Sequence, residues 1–255
     1  METRIQSINQ KGREVKMMKG ILCLLAAMVM SLGLFTSANA TSVGGLIWPD
    51  GTATLLSDNS ADFIIDGDGD PTTVGVGDIL VTIVGINTIE GTSNQTIGAG
   101  TTYNELTAIT AVKISSMDGT FTNPQGLTMA QYYAQPLTGA DTAYFDWATG
   151  TVYGGLTFTS QTGLTNDGIQ FGLLYEDSAN NYSRDGSVQT GLTYATDGTY
   201  RLTLGLDAAA GDYLTVFAPV NLVQLAAFAA GNPSTAIDLS NISLNGSIIG
   251  QNWGS

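Results

Sequence analysis

From Thr41 onward, short runs of Val, Ile, Leu, Phe and Tyr alternate with glycine turns, and this punctuation constrains the fold more than any other feature of the chain. Pro49-Asp50-Gly51, Asp118-Gly119, Asp167-Gly168, Asp185-Gly186, Asp197-Gly198 and Gly211-Asp212 supply residues that tolerate tight or left-handed backbone. Helical periodicity between them is scarce. The spacing predicts an opening hairpin of Val43 to Trp48 and Thr52 to Leu56, then strands over Asp62 to Ile65, Val76 to Ile89 and Thr107 to Ser115. Further strands are expected over Ala143 to Trp147, Thr151 to Thr159, Ile169 to Glu176, Gly191 to Tyr194, Tyr200 to Leu206, Tyr213 to Ala218 and Ile237 to Ile249. Leu127 to Tyr133 fits a short helix or an irregular segment, and Leu222 to Ala230, ended by Gly231 and Pro233, is the helix candidate.

Val76 to Ile89 carries the longest apolar pattern. Ile79, Val81 and Ile83 share one parity while Leu80, Val84 and Ile86 share the other, so the strand is expected to be covered on both faces, with Gly85 marking a bulge. No internal repeat or proline-rich linker divides the chain. The economical architecture is all-β: one antiparallel β-sandwich, Greek key or jelly roll, of roughly ten strands with one short helix, with a lectin-like or solenoid arrangement as its rival.

The first forty residues stand outside that domain. Lys11, Arg13, Lys16 and Lys19 precede the apolar run Gly20 to Phe35, and Ala38-Asn39-Ala40 forms a small-residue cleavage site, the pattern of an export signal. An uncleaved anchor is the competing reading, but sixteen apolar residues are short for about 30 Å of hydrocarbon. Residues 1–40 are therefore expected to be a signal peptide cleaved after Ala40, and residues 41–255 a single β-sandwich domain in a secreted or cell-surface bacterial protein, with no membrane insertion after cleavage.

Cleavage changes the charge balance. The mature part keeps Lys113, Arg184 and Arg201 against twenty carboxylates, a net charge of −17. Such a surface repels phosphate backbones, which argues against a nucleic-acid partner. The chain has no histidine, and its single cysteine, Cys23, lies in the leader. Disulfides, thiol or Ser-His-Asp catalysis and ordinary zinc sites are thereby excluded from the mature domain.

Two clusters are candidates for binding. Asp66, Asp68 and Asp70 place three carboxylates along one glycine turn, hard oxygen ligands of the kind Ca²⁺ takes. The EF-type pattern is not met, because Pro71 and Gly77 stand where that loop needs Gly and Glu; Asp78 lies one place further on. A solvated turn is the alternative. Tyr132, Tyr133, Tyr144, Phe145 and Trp147 form an aromatic cluster in which Tyr144 and Trp147 would offer rings to a glycan, with core packing as the competing use. A glycosidase would have to draw its acids from Glu90, Glu105, Glu176 or the aspartates.

VGVGDILVTIVGINTIE from Val74, GAGTTYNELTAITAVKI from Gly98 and ATDGTYRLTLGLDAAAGDYLTVFAP from Ala195 together resemble the ectodomains of bacterial PEP-CTERM proteins, substrates of exosortase-type sorting. The resemblance covers Gly75 to Pro219 and rests on glycine and apolar spacing. It implies a noncatalytic β domain associated with extracellular polysaccharide, biofilm or floc. The Pro-Glu-Pro box, membrane helix and basic tail that define the family do not occur before Ser255, so sorting and anchoring do not carry over.

The expected function is accordingly a structural or adhesive protein of the extracellular matrix or cell surface, not an enzyme, with exopolysaccharide or other matrix proteins as partners. A carbohydrate-binding module and a secreted polysaccharide-degrading enzyme are the alternatives.

Overall fold

The structure, a computed structural model, describes residues 41–43, 46–48, 55–90, 95–97, 105–123, 126–179, 181–182, 187–206, 213–223, 241–245 and 247–251. The strands in chain order are β1 (Thr41–Val43), β2 (Leu46–Trp48), β3 (Leu55–Ile65), β4 (Ile79–Glu90), β5 (Gln95–Thr96), β6 (Glu105–Thr122), β7 (Thr128–Pro136), β8 (Phe145–Asp146), β9 (Thr151–Val152), β10 (Leu156–Thr157), β11 (Gln170–Asp177), β12 (Thr199–Gly205), β13 (Tyr213–Pro219), β14 (Asn241–Asn245) and β15 (Ser247–Gln251). A 3-10 turn spans Gly139–Asp141, and one α-helix, α1, spans Val188–Ala195. Every pairing between these strands is antiparallel, and ten of them form the main sheet.

Strand β6 organises that sheet. Its first half lies between β4 and β11, whereas its second half pairs with β7 along the edge that β11 has left. Register shifts at Ile114/Ser116 and Asp118/Thr120 bend it between the two settings. One leaf is therefore β3-β4-β6-β11-β12-β15 and the other is β6-β7-β13-β14. Strands β14 and β15, separated by residue 246 alone, also serve both leaves. Leu80 and Phe171 of the first leaf meet Ala130, Tyr132, Leu214 and Val216 of the second in one core, the sandwich interior.

Strand β4 is buried on both faces, as its sequence requires. Ile79, Val81 and Ile83 point away from the sandwich interior into a second core, roofed by Leu137, Phe145, Trp147, Val152 and Phe158 and by Leu192 and Ala195 of α1. Burying such side chains is worth about 1.5–3 kcal/mol each, so the roof layer is an integral part of the domain.

The structure differs from the sequence reading at several places; the expected single strand Thr151 to Thr159, for one, is the hairpin of β9 and β10. The opening hairpin pairs β1 with β2, both of which precede Pro49-Asp50-Gly51, while Leu55 and Leu56 pair with β4 instead. The bulge in β4 falls at Asn87, skipped between the pairs Ser57↔Thr88 and Asp58↔Ile86, not at Gly85. Asp118-Gly119 is an irregularity inside β6, with Gly119 at φ +62°, rather than a turn between strands. Of Leu127 to Tyr133, all but Leu127 belongs to strand β7. Gly191 to Tyr194 is helical, because the Ser187 side chain accepts the Thr190 amide and caps the helix start, and Leu192 and Ala195 then face the core. Most of the expected helix Leu222 to Ala230 lies outside the described residues.

Candidate functional site

The chain leaving β3 at Ile65 doubles back through Asp66–Asp70 and returns past Gly77 to enter β4. Asp78 is the anchor of this loop. Only 1% exposed, its carboxylate accepts the amides of Gly67 at 2.8 Å and Asp68 at 3.3 Å through Oδ1, and that of Gly75 at 2.8 Å through Oδ2. The close approach demands glycine: a Cβ on Gly67 would lie 2.2 Å from the Gly77 carbonyl oxygen, and Gly77 sits at φ +112°. The loop is also tied to the sandwich by Val74 N to Val220 O at 3.0 Å, Gly77 N to Ile114 O at 2.9 Å and the buried Tyr132 hydroxyl, which donates to Val74 O at 3.1 Å.

This geometry selects a different acidic trio from the one in the sequence. Asp66, Asp68 and Asp78 bring one carboxylate oxygen each within 4.8 Å of one another. Asp70 stands outside that group, its oxygens accepting from Thr72 N at 3.0 Å, Thr72 Oγ1 at 2.6 Å and Thr73 Oγ1 at 3.1 Å. These hydrogen bonds, led by the Thr72 hydroxyl, hold the Asp70 carboxyl below the usual carboxylate range. Burial pushes the Asp78 carboxyl up, reinforced by the nearby Asp68 charge and only partly offset by the backbone amides. The trio offers hard oxygens of the Ca²⁺ type, two exposed and one buried.

The aromatic cluster divides by strand face. Trp147 is 0% exposed and packs edge-on against Phe145 at 4.6 Å and Phe158 at 5.7 Å between ring centroids. Its ring has no free face, so the expectation that Trp147 stacks on a sugar is corrected: it is a core residue of the roof layer. Tyr132 is likewise buried. Tyr144, half-buried, instead meets Tyr153 at 6.0 Å with the rings tilted by 39°, and Tyr153 is 62% exposed. The surface pair is thus Tyr144–Tyr153, and the Tyr153-Gly154-Gly155 turn gave no sequence signal beyond its glycines.

Two other carboxylates, Asp141 and Glu176, are engaged in ion pairs. Asp141, buried in the 3-10 turn, accepts from Lys113 Nζ at 2.7 Å and from Thr138 N and Oγ1 at 2.8 and 2.9 Å. Burial alone would push its carboxyl up, but the Lys113 and Thr138 contacts outweigh that and hold it below its ordinary value. Glu176 pairs with Arg201 at 2.8 Å. Glu105 and Glu176 cannot flank one glycosidic bond: Asp177 is the cross-strand partner of Glu105, so the adjacent Glu176 projects from the opposite face of the sheet. The side chain of Glu90 lies outside the described residues.

Fold and site together define an all-β, antiparallel domain in which carboxylates organise loops and a roof layer covers one leaf. Among the described residues, no helix is long and apolar enough to cross a membrane. No family model, curated protein or solved structure matches the chain.

Proposed function

We propose that this chain is an exported, non-catalytic structural or adhesive protein of the bacterial extracellular matrix or cell surface. The observation that carries the reading is the use made of its acids. Asp78, Asp141 and Glu176 are each spent on backbone amides or an ion pair, and Glu105 and Glu176 point from opposite faces. Export follows from the leader pattern, and the matrix setting from the PEP-CTERM resemblance. A divalent cation at Asp66, Asp68 and Asp78 would tighten the loop that joins β3 to β4 in such a setting.

The test is stoichiometric. Deleting the gene should lower the mass of matrix or floc that cells deposit, and purified mature protein should restore it in proportion to the amount added. Restoration by trace amounts, or shortening of the polysaccharide during restoration, would show turnover and overturn the non-catalytic reading.

A carbohydrate-binding module is the second reading, favoured by the exposed Tyr153 beside half-buried Tyr144. On a glycan array, Tyr153→Ala and Tyr144→Ala should abolish any signal. Binding unchanged in both variants removes this reading.

A further inference from the structure

The outer face of the second leaf carries its own surface of aromatic rings. Side chains alternate along β7: Ala130, Tyr132 and Ala134 enter the sandwich core, so Met129, Gln131 and Tyr133 face outward. Register sets Phe121 of β6 opposite Met129, and Phe217 of β13 opposite Gln131. Strands β6 and β13 flank β7, and the Phe121 and Phe217 rings meet across it edge-on, their centroids 6.2 Å apart. Phe121 is 48% exposed and Tyr133 42%, while Phe217, Met129 and Gln131 are half-buried. At about 3.3 Å per residue, Tyr133 stands roughly 13 Å along β7 from Met129, so the rings bound an extended strip rather than a single spot.

Charge selects the occupant of this strip. Register sets one ionised side chain beside it, Asp118, opposite Gln131. Lys113, further along β6, is turned to Asp141 at 2.7 Å. A polymer bearing uronate or phosphate would meet Asp118 and the −17 charge of the mature chain, and be repelled. A second copy of this chain, seated face to face, would take Asp118 out of water with no cation on the facing strip to pair it. A neutral sugar chain meets neither cost. Its hydroxyls donate to the Asp118 carboxylate and the Gln131 side-chain carbonyl, and its C–H faces stack on the rings.

We propose that the outer face of β6, β7 and β13 binds a neutral polysaccharide chain, with Tyr133 and Phe121 as stacking rings, Phe217 bracing Phe121, and Asp118 and Gln131 accepting from sugar hydroxyls. The proposal rests on the extracellular adhesive reading for its partner and gives that role a surface. This surface is distinct from the Tyr144–Tyr153 pair, which belongs to the roof layer. The roof closes the outer face of the first leaf, whereas Phe121 and Tyr133 keep the second leaf open to solvent. Exposed aromatic surface of this kind marks a contact site.

The experiment is affinity electrophoresis of the whole mature chain in native gels containing hydroxyethyl cellulose, laminarin or mannan as neutral polymers, and alginate as the polyanion. At least one neutral polymer should retard the chain and alginate should not. Binding measured in solution should survive about 0.5 M NaCl, where surface charge is screened. Tyr133→Ala and Phe121→Ala should each weaken binding at least about tenfold, Tyr133→Phe should keep most of it, and Tyr153→Ala in the roof should leave it unchanged. No retardation by any neutral polymer, binding lost in salt, or binding equal to wild type in both alanine variants overturns the proposal. So does sedimentation in which Tyr133→Ala turns a dimer into a monomer, because the strip would then join copies of this chain. If wild-type protein and the Tyr133→Ala, Phe121→Ala double variant restore matrix equally to the deletion strain, the strip fails while the adhesive reading stands. Neutral-polymer binding in a protein whose deletion leaves matrix mass unchanged keeps the strip and overturns that reading instead.

Discussion

Replacing Asp78 with Asn should unfold the acidic loop from within while leaving its outline unchanged. The wild-type carboxylate has two acceptor oxygens for three backbone amides, those of Gly67, Asp68 and Gly75. Asn has one acceptor, so one side of the group must present an NH₂ to a backbone N–H. The loss is one charge-assisted hydrogen bond, about 1.5–3 kcal/mol, plus an amide facing another donor. Against it, the neutral side chain escapes the burial cost that raises the Asp78 carboxyl. The net loss is about 2 kcal/mol for Asp78→Asn, and about 3–5 kcal/mol for Asp78→Ala, which strands all three amides. Urea unfolding followed by far-UV circular dichroism, in chelator so that no cation contributes, measures both. Asp70→Asn, in the exposed part of the same loop, should cost less than Asp78→Asn. An Asp78→Asn variant within about 0.5 kcal/mol of wild type would refute the view that this carboxylate organises the turn.

Other perturbations follow from the same contacts. Lys113→Met leaves Asp141 buried without its cation; because the Lys113 side chain is itself 30% exposed, the cost falls below that of a fully buried pair, to about 2 kcal/mol by urea unfolding. The pH dependence has two limbs. Glu105, Asp78 and Asp197 bind protons more tightly folded than unfolded, so stability should fall as pH rises from the ordinary carboxylate range through their raised values, and Glu105→Gln should flatten this limb of a urea-midpoint profile. Asp141 and Asp70 act in the opposite sense, their contribution being present above the ordinary range and lost as pH falls through their lowered values. If the loop trio takes Ca²⁺, the thermal midpoint should rise with calcium, and Asp66→Asn with Asp68→Asn should remove the rise; no shift at millimolar calcium leaves the loop simply solvated.

The parts of the fold legible in the sequence were those where side-chain parity speaks directly. Ile79, Val81 and Ile83 against Leu80, Val84 and Ile86 announced a strand buried on both sides, and the two cores on either face of β4 are its consequence. Segments whose conformation depends on one local bond or on distant packing were not legible. Gly191-Leu192-Thr193-Tyr194 has the composition of a strand, but the Ser187 cap and the fit of Gly191 against Ile83, where a Cβ would come within 3.3 Å, make it helical. Asp118-Gly119 has the composition of a turn, but pairing with β7 carries the strand through it.

The same distinction runs through the sites. Spacing alone grouped Asp66, Asp68 and Asp70, whereas the chain reversal replaces Asp70 with Asp78, whose distance along the sequence concealed its place. Alternation did separate Phe145 and Trp147 from Tyr144, but not which set faced solvent beside Tyr153. The pairing of Glu105 with Asp177 across β6 and β11 depends on strand register, which a single sequence does not display.

The most direct test of the account is to fractionate the producing cells and determine the mass and N-terminus of the protein in each fraction. A chain beginning at Thr41 is expected in the extracellular or matrix fraction, released or retained together with polysaccharide. Full-length protein beginning at Met1 and confined to the cytosol would contradict it.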